Sequence, residues 1–246
     1  MSRILLITGG SAGIGAAVAR MAARRGYSRI VITCSQDVTG AESVAADLRS
    51  TGAEAHVIQA DVSDPAAVKR MFAIIDSLPP GPLDLVNNAG IVSPQGGIAD
   101  LTPDRVARVM AVNVLGAIDV ARHAVAYMRK HQGGGIVNIS SAAARLGSPG
   151  QYIDYAASKG AIESFTLGLA SELADEGIRV NAVRPGLIAT DIHAKGGVPD
   201  RLAQIGHTPP LGRPGTADEV AEGVLWLLSD AASYVTRTIL DVTGGR

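Results

Sequence analysis

One cysteine, Cys34, stands in the 246-residue chain, which excludes an intrachain disulfide. The five histidines (His56, His123, His131, His193 and His207) and Cys34 show no metal-ligand spacing, so no metal site is expected. Aromatic residues are only 3% of the chain against 47% hydrophobic, so the core has to be built from Val, Ile, Leu and Ala. A formal net charge of −1 without a long basic run leaves no electrostatic footprint for nucleic acid. The Arg20, Arg24 and Arg25 cluster reads as a solvated helix face. The first apolar run is too short for a signal peptide, and no stretch approaches membrane-spanning length. A cytoplasmic protein with no membrane partner is the expectation.

What the chain does have is alternation. Short apolar runs (3–8, 29–33, 83–90, 135–141, 178–183 and 238–242, the third and fourth ending in polar turns) alternate with helical patterns, as in a doubly wound parallel α/β sheet. The length fits one domain, 1–246, with no repeat, low-complexity tract or linker. Thr39-x-x-Glu42 and Thr216-x-x-Glu219 read as capping boxes. Asp64-Pro65 and Thr102-Pro103 put proline at the first position of a helix. The Gly- and Pro-rich segment 186–215 is the one long irregular stretch, and such loops are usually functional.

The first strand runs into Gly9-Gly10-Ser11-Ala12-Gly13-Ile14-Gly15, followed by a helical pattern with Val18, Met21 and Ala22 on one side. A glycine turn between strand and helix suits a dinucleotide, because the backbone can approach a pyrophosphate at the helix start. The same residues also spell G-x-S-x-G, the nucleophile elbow of a serine hydrolase, with Ser11 as nucleophile. A position after the first strand argues against the elbow. A P-loop fails, since Ala16 and Ala17 stand where Lys and Ser or Thr are required.

Tyr155 and Lys159 sit four residues apart and share a helix face. A phenol is ordinarily too weak an acid for proton shuttling at neutral pH, and a nearby ammonium pulls its pKa down. Ser140 and Ser141 end another strand at the edge where ligands of open parallel sheets bind. Alternation along the strand turns the two hydroxyls to opposite sides.

Taken in order, Thr8 to Gly15, Asp61, Asn87-Asn88-Ala89-Gly90, Asn113, Ser141, Tyr155-x-x-x-Lys159, Pro185-Gly186, Pro210 to Pro214 and Gly244-Gly245 resemble the short-chain dehydrogenase/reductases of the compact, single-domain type. The resemblance covers nearly the whole chain. It implies a Rossmann-type fold and hydride transfer between a nicotinamide dinucleotide and a carbonyl or secondary alcohol. By the same resemblance, Tyr155 is the general acid/base and Ser141 holds the substrate oxygen. Lys159 binds the nicotinamide ribose and lowers the Tyr155 pKa, and Asn113 anchors a proton-relaying water. Gly9, Ser11, Gly13, Ile14, Gly15, Ser35, Asp61, Val62, Asn88, Ala89, Gly90, Pro185, Gly186, Ile188 and Thr190 are the cofactor-binding set, with Asp61 on the adenine amine. Segment 186–215 becomes a substrate lid with Gly196-Gly197 as hinge, and the assembly a homotetramer.

Three departures from the family pattern matter. Thirteen residues separate Ser141 from Tyr155, one more than in relatives, within or near loop 145–150. Arg237 and Thr243 replace the usual Gly and Asp near the last strand. Cys34 falls where NAD enzymes carry a carboxylate at the end of the second strand, and Asp37 lies beyond it. With no carboxylate at Cys34 the sequence favours NADP over NAD, although Ala12 and the loop supply no cation. The preference for reduction rests on that argument. Ile91, Gly96, Gly97, Arg145, Leu146, Gln151, Tyr152 and His193 are the expected pocket residues, and they name no substrate. A non-catalytic dinucleotide sensor on the same fold is the alternative, with the Ser11 hydrolase more remote.

Overall fold

Seven short strands form one parallel sheet in the order β3-β2-β1-β4-β5-β6-β7, in a computed structural model that describes residues 2–190 and 196–246. The strands are β1 (Ile4–Ile7), β2 (Arg29–Cys34), β3 (Glu54–Gln59), β4 (Leu83–Asn87), β5 (Gly135–Ile139), β6 (Arg179–Pro185) and β7 (Ile239–Val242). The main helices are α1 (Gly13–Arg24), α2 (Val38–Ser50), α3 (Pro65–Ser77), α4 (Pro103–Met110), α5 (Ala117–Met128), α6 (Ala143–Leu146), α7 (Ile153–Leu173), α8 (Arg201–Ile205) and α9 (Ala217–Leu228). The chain order reverses between β1 and β4. In such sheets that reversal opens a crevice at the carboxyl ends of the strands.

Because side chains alternate along β1, Leu5 and Ile7 face one helical layer and Ile4 and Leu6 the other. The first layer packs α1, α2 and α9 over Ile30 and Ile32; the second packs α3, α5 and α7 over Leu85 and Ile136. Both are dominated by Val, Ile, Leu and Ala, as the scarcity of aromatics requires. Arg20 and Arg25 are exposed but not merely solvated, since they pair with Asp47 and Glu222 on neighbouring helices.

Three of the four expected helix starts hold. Thr216 and Glu219 form a reciprocal capping box, and Asp64 and Thr102 cap helices that begin with proline. The fourth does not. Helix α2 starts at Val38, and Asp37 caps it by accepting from the Gly40 amide at 2.9 Å, which leaves Thr39 inside the first turn. Asp37 reaches the orphan amides first, two residues earlier than the expected box.

Helix α4, a π-helical turn (Ala111–Gly116) and α5 run on continuously, making 103–128 long and apolar enough to cross a membrane by length and composition. The run is a core helix here, with 56% of its most apolar window buried inside the fold. No gap in the sequence marks where α4 ends. Only the structure shows that the segments join.

Candidate active site

A cleft of about 890 Å³ follows the carboxyl edge of the sheet. One half is made by the glycine turn. Gly9 and Gly13 have φ of +66° and +55°, left-handed values that favour glycine. At Gly15 a Cβ would stand 2.3 Å from the Gly9 carbonyl oxygen and 2.6 Å from Asn88 Nδ2, so only glycine lets α1 pack this closely. Ala12 precedes α1 without a side-chain cap, and no acidic residue lies in the first turn. The amides at this helix start therefore meet the cleft with the dipole's positive end. A pyrophosphate fits that environment.

Gly9, Ser11, Gly13, Ile14, Ser35, Asp61, Val62, Asn88, Ala89, Gly90, Pro185, Gly186, Ile188 and Thr190 all line the cleft. Gly15 does not; it sits behind the turn as a packing residue. Asn88 Nδ2 donates to the Thr8 and Gly9 carbonyls, both at 2.9 Å, and so ties the end of β4 to the glycine turn. Asp61 accepts from the Ser63 amide and hydroxyl on one oxygen and from Arg108 Nη2, at 2.9 Å, on the other. Burial raises its pKa, but these bonds outweigh burial and hold the carboxyl below its ordinary range.

In the other half the two serines at the end of β5 diverge. Ser140 Oγ donates to Glu163 Oε1 at 2.7 Å, away from Tyr155. Ser141 Oγ accepts from the Ala143 amide at 3.1 Å and hydrogen-bonds the Tyr155 phenol. The extra residue before Tyr155 has not displaced that hydroxyl. The intervening loop carries left-handed backbone at Gly147 (φ +73°), Ser148 (φ +46°) and Gly150 (φ +68°).

Tyr155 and Lys159 both line the cleft from α7. The expected depression of the phenol pKa is not what the geometry gives. Burial pushes Tyr155 up, with the Ser141 bond alone opposing it. Lys159 Nζ donates to the Ile139 carbonyl at 2.7 Å, and its own burial brings its pKa down to about 8. Spacing placed the two side chains on one face but could not reveal that the ammonium would turn to a strand carbonyl.

Asn113 lies in the π-helical turn, buried behind the cleft. Its Oδ1 accepts from the Ile91 amide at 2.8 Å, and Nδ2 donates to the Ile91 carbonyl and Ser158 Oγ at 2.9 and 3.0 Å. Both amide protons are thus engaged in clamping the loop after β4 to α7.

Of the expected pocket residues, Ile91, Leu146 and Tyr152 line the cleft, and Gln151 lines a hollow adjoining it. Arg145 turns instead to Asp241 and the Arg246 main-chain oxygen. Gly96 bonds the Gln151 carbonyl through its amide without facing the cleft, and Gly97 likewise lies outside it. His193 lies outside the described residues. Arg108, Arg201 and Arg246 line the cleft and escaped the sequence reading, because no motif marks them. Among the described residues no histidine lines the cleft, so Ser11 has no imidazole base there.

A family model described as enoyl-(acyl carrier protein) reductase matches residues 9–246. An uncharacterized oxidoreductase of Escherichia coli (strain K12) is 47% identical over 246 residues, covering 99% of both chains. A 3-oxoacyl-[acyl-carrier-protein] reductase of Pseudomonas aeruginosa is 36% identical over 243 residues, covering 99% of this chain and 96% of its own. Among solved structures, a 3-ketoacyl-(acyl-carrier-protein) reductase of Brucella melitensis complexed with NADH is similar at a TM-score of 0.89. It shares 32% identity and covers 99% of this chain and 98% of its own. With the glycine turn, the parallel sheet and the Ser141, Tyr155 and Lys159 cluster in place, these likenesses establish that the chain belongs to the short-chain dehydrogenase/reductases, enzymes that interconvert carbonyls and alcohols with a nicotinamide dinucleotide.

Proposed function

We propose that the enzyme works as a carbonyl reductase in which Tyr155 is the proton donor. The observation that carries this reading is the phenol itself. It lines the cleft beside Lys159, and a hydrogen bond with the Ser141 hydroxyl fixes its oxygen at the strand end. A protonated phenol is the form that gives a proton to a carbonyl oxygen becoming an alcohol. Ser141 adds a positioned hydrogen bond to the same oxygen as its negative charge grows. Lys159 is bonded to the Ile139 carbonyl at the end of β5, and Asn113 holds the loop after β4 through Ile91. The bound dinucleotide supplies the hydride. Gly9, Ser11, Gly13 and Ile14 with the start of α1 are suited to its pyrophosphate, and Asp61 with Val62 to its adenine.

On coenzyme choice the strand end supports NAD over the NADP favoured by the sequence. Burial raises the Cys34 thiol pKa, and the Asp37 and Glu42 carboxylates raise it further. The field at this point is negative, which disfavours a 2′-phosphate. Asp37 itself lines the cleft, and the lining from Thr33 to Asp37 contains no cation.

Segment 186–215 suits a lid over the substrate, with its two ends held together by the bridge between Ile188 and Gly215. A homo-oligomer, a tetramer by family likeness, agrees with exposed Leu115 and Trp226, and sedimentation would test it.

The decisive experiment measures NADH and NADPH oxidation by purified protein with 3-oxoacyl thioesters, sugar lactones, diketones and quinones. Turnover falling by about 10²- to 10⁴-fold in Tyr155→Phe supports the reading. Turnover indifferent to Tyr155→Phe overturns it.

A further inference from the structure

Two arginines of the cleft have no ion partner among the described residues. Arg201 and Arg246 line it together with Leu146 and Ser148, and these four residues also border the adjoining hollow of about 320 Å³. Among the described residues neither guanidinium is paired with a carboxylate, whereas Arg105, Arg108, Arg145 and Arg184 all are. Arg201 is held, not idle. Its guanidinium lies 5.4 Å over the Tyr152 ring, and Nη2 donates to Gln151 Oε1 at 2.8 Å. Guanidinium has five N–H donors, so most remain for a ligand.

Tyr152 stands at the N-cap position of α7, three residues before Tyr155, so the stacked Arg201 shares the cleft with the reacting phenol. Arg246 is anchored from the other side. Its main-chain oxygen accepts from Arg145 Nη2 at 2.6 Å, Arg145 pairs with Asp241, and Asp241 pairs with Arg184. The chain continues through Glu163 to Ser140, next to Ser141. Arg246 is therefore indexed to the strand end that carries Ser141.

Charge along the cleft is polarised. Its carboxylates, Asp37 and Asp61, both belong to the β2–β3 end, where Arg108 pairs with Asp61, while Lys159, Arg201 and Arg246 line the rest with no carboxylate pairing among the described residues.

We propose that the substrate carries a carboxylate, received by Arg201 and Arg246 in the hollow beside Tyr152 while its carbonyl meets Tyr155. The proposal rests on the carbonyl-reductase reading of the same cleft. Planar guanidinium forks match a carboxylate in paired hydrogen bonds, and neither has to be drawn from an existing ion pair.

Calorimetric titration tests it without turnover. Full-length protein saturated with NAD⁺, which cannot reduce a ketone, is titrated with 4-oxopentanoate and 4-oxocyclohexanecarboxylate and with their neutral primary amides. At least one acid should bind about tenfold or more tighter than its amide, a preference of about 1.4 kcal/mol. Arg201→Gln and Arg246→Gln should each erode that preference, and the double variant should bring it near unity without weakening the amide. Arg201→Lys should keep part of it. Equal binding of acid and amide, no binding of any probe, or a preference that survives the double variant overturns the proposal. Failure of the underlying reading looks different: acid preference present, yet no carbonyl turnover that depends on Tyr155.

Discussion

Lys159 Nζ stands 5.6 Å from the centre of the Tyr155 ring and donates to the Ile139 carbonyl at 2.7 Å. No carboxylate pairs with it among the described residues, and burial lowers its pKa to about 8. From about pH 8 up to the ~10.4 of an unfolded lysine, the unfolded chain binds more protons than the folded one, so stability rises with pH. Tyr155 is pushed up by burial from the ordinary phenol range. Lysine 159 should contribute a rise of up to ~3 kcal/mol, and Lys159→Met should remove it. Urea midpoints at several pH values across the window measure the difference. Parallel profiles for the two proteins would refute the assignment.

The neighbouring ion pair has the opposite sign. Asp154, whose side chain is 1% exposed, accepts from Arg105 Nε and Nη2 at 2.8 and 3.2 Å. Burial raises its pKa, but the Arg105 bonds and a backbone amide prevail and hold it below the ordinary range. Removing the partner leaves a buried charge, so Arg105→Ala should cost about 3–5 kcal/mol near neutral pH. The wild-type advantage is present above an unfolded aspartate's pKa of ~3.9 and is lost as pH falls through the lower folded value. Denaturation of both proteins at neutral and strongly acid pH should therefore show the gap closing in acid. A gap independent of pH would mean that Arg105 acts through packing alone.

These two pairs show where reading a sequence stops. Strands β1, β2, β4 and β5 were legible because short apolar runs end in Gly, Asn or Ser, and the glycine turn because Gly9, Gly13 and Gly15 follow one of them. Tyr155 with Lys159 was legible because helical spacing fixes a shared face. The partner of an ammonium is not encoded that way. Ile139 comes from a strand twenty residues earlier, as the bond between them records. Asp37 over Thr39 at α2 was decided by which side chain reached the first free amide. Arg108, Arg201 and Arg246 come from α4, α8 and the last residue of the chain, and only tertiary approach brings them to the cleft.

Asp37 offers a direct test of coenzyme choice. Its carboxylate lines the cleft and caps α2, and asparagine caps about equally well, so Asp37→Asn removes charge with little loss of helix stability. Losing one nearby charge in a wet setting is worth about 1 kcal/mol, so the ratio of kcat/KM for NADPH over NADH should rise on the order of fivefold. Steady-state rates with both coenzymes read it out. An unchanged ratio would remove the argument for NAD.

The close fit behind the glycine turn predicts opposite effects for one substitution at two sites. Alanine normally stabilises a helix interior relative to glycine by about 1 kcal/mol. At Gly168, on α7, a Cβ would meet nothing within 4 Å, so Gly168→Ala should gain about that much. At Gly15, on α1, the same Cβ would press on the Gly9 carbonyl and on Asn88 Nδ2. Gly15→Ala should instead cost about 1–3 kcal/mol as an overpacked site. Asn88 is the side chain that holds Thr8 and Gly9, so the strain reaches the turn itself. Dinucleotide affinity, read from quenching of the single tryptophan or from nucleotide fluorescence, should fall with Gly15→Ala and stay unchanged with Gly168→Ala. If Gly15→Ala stabilises the fold and binds dinucleotide normally, the close packing of α1 on the turn is not what requires glycine there.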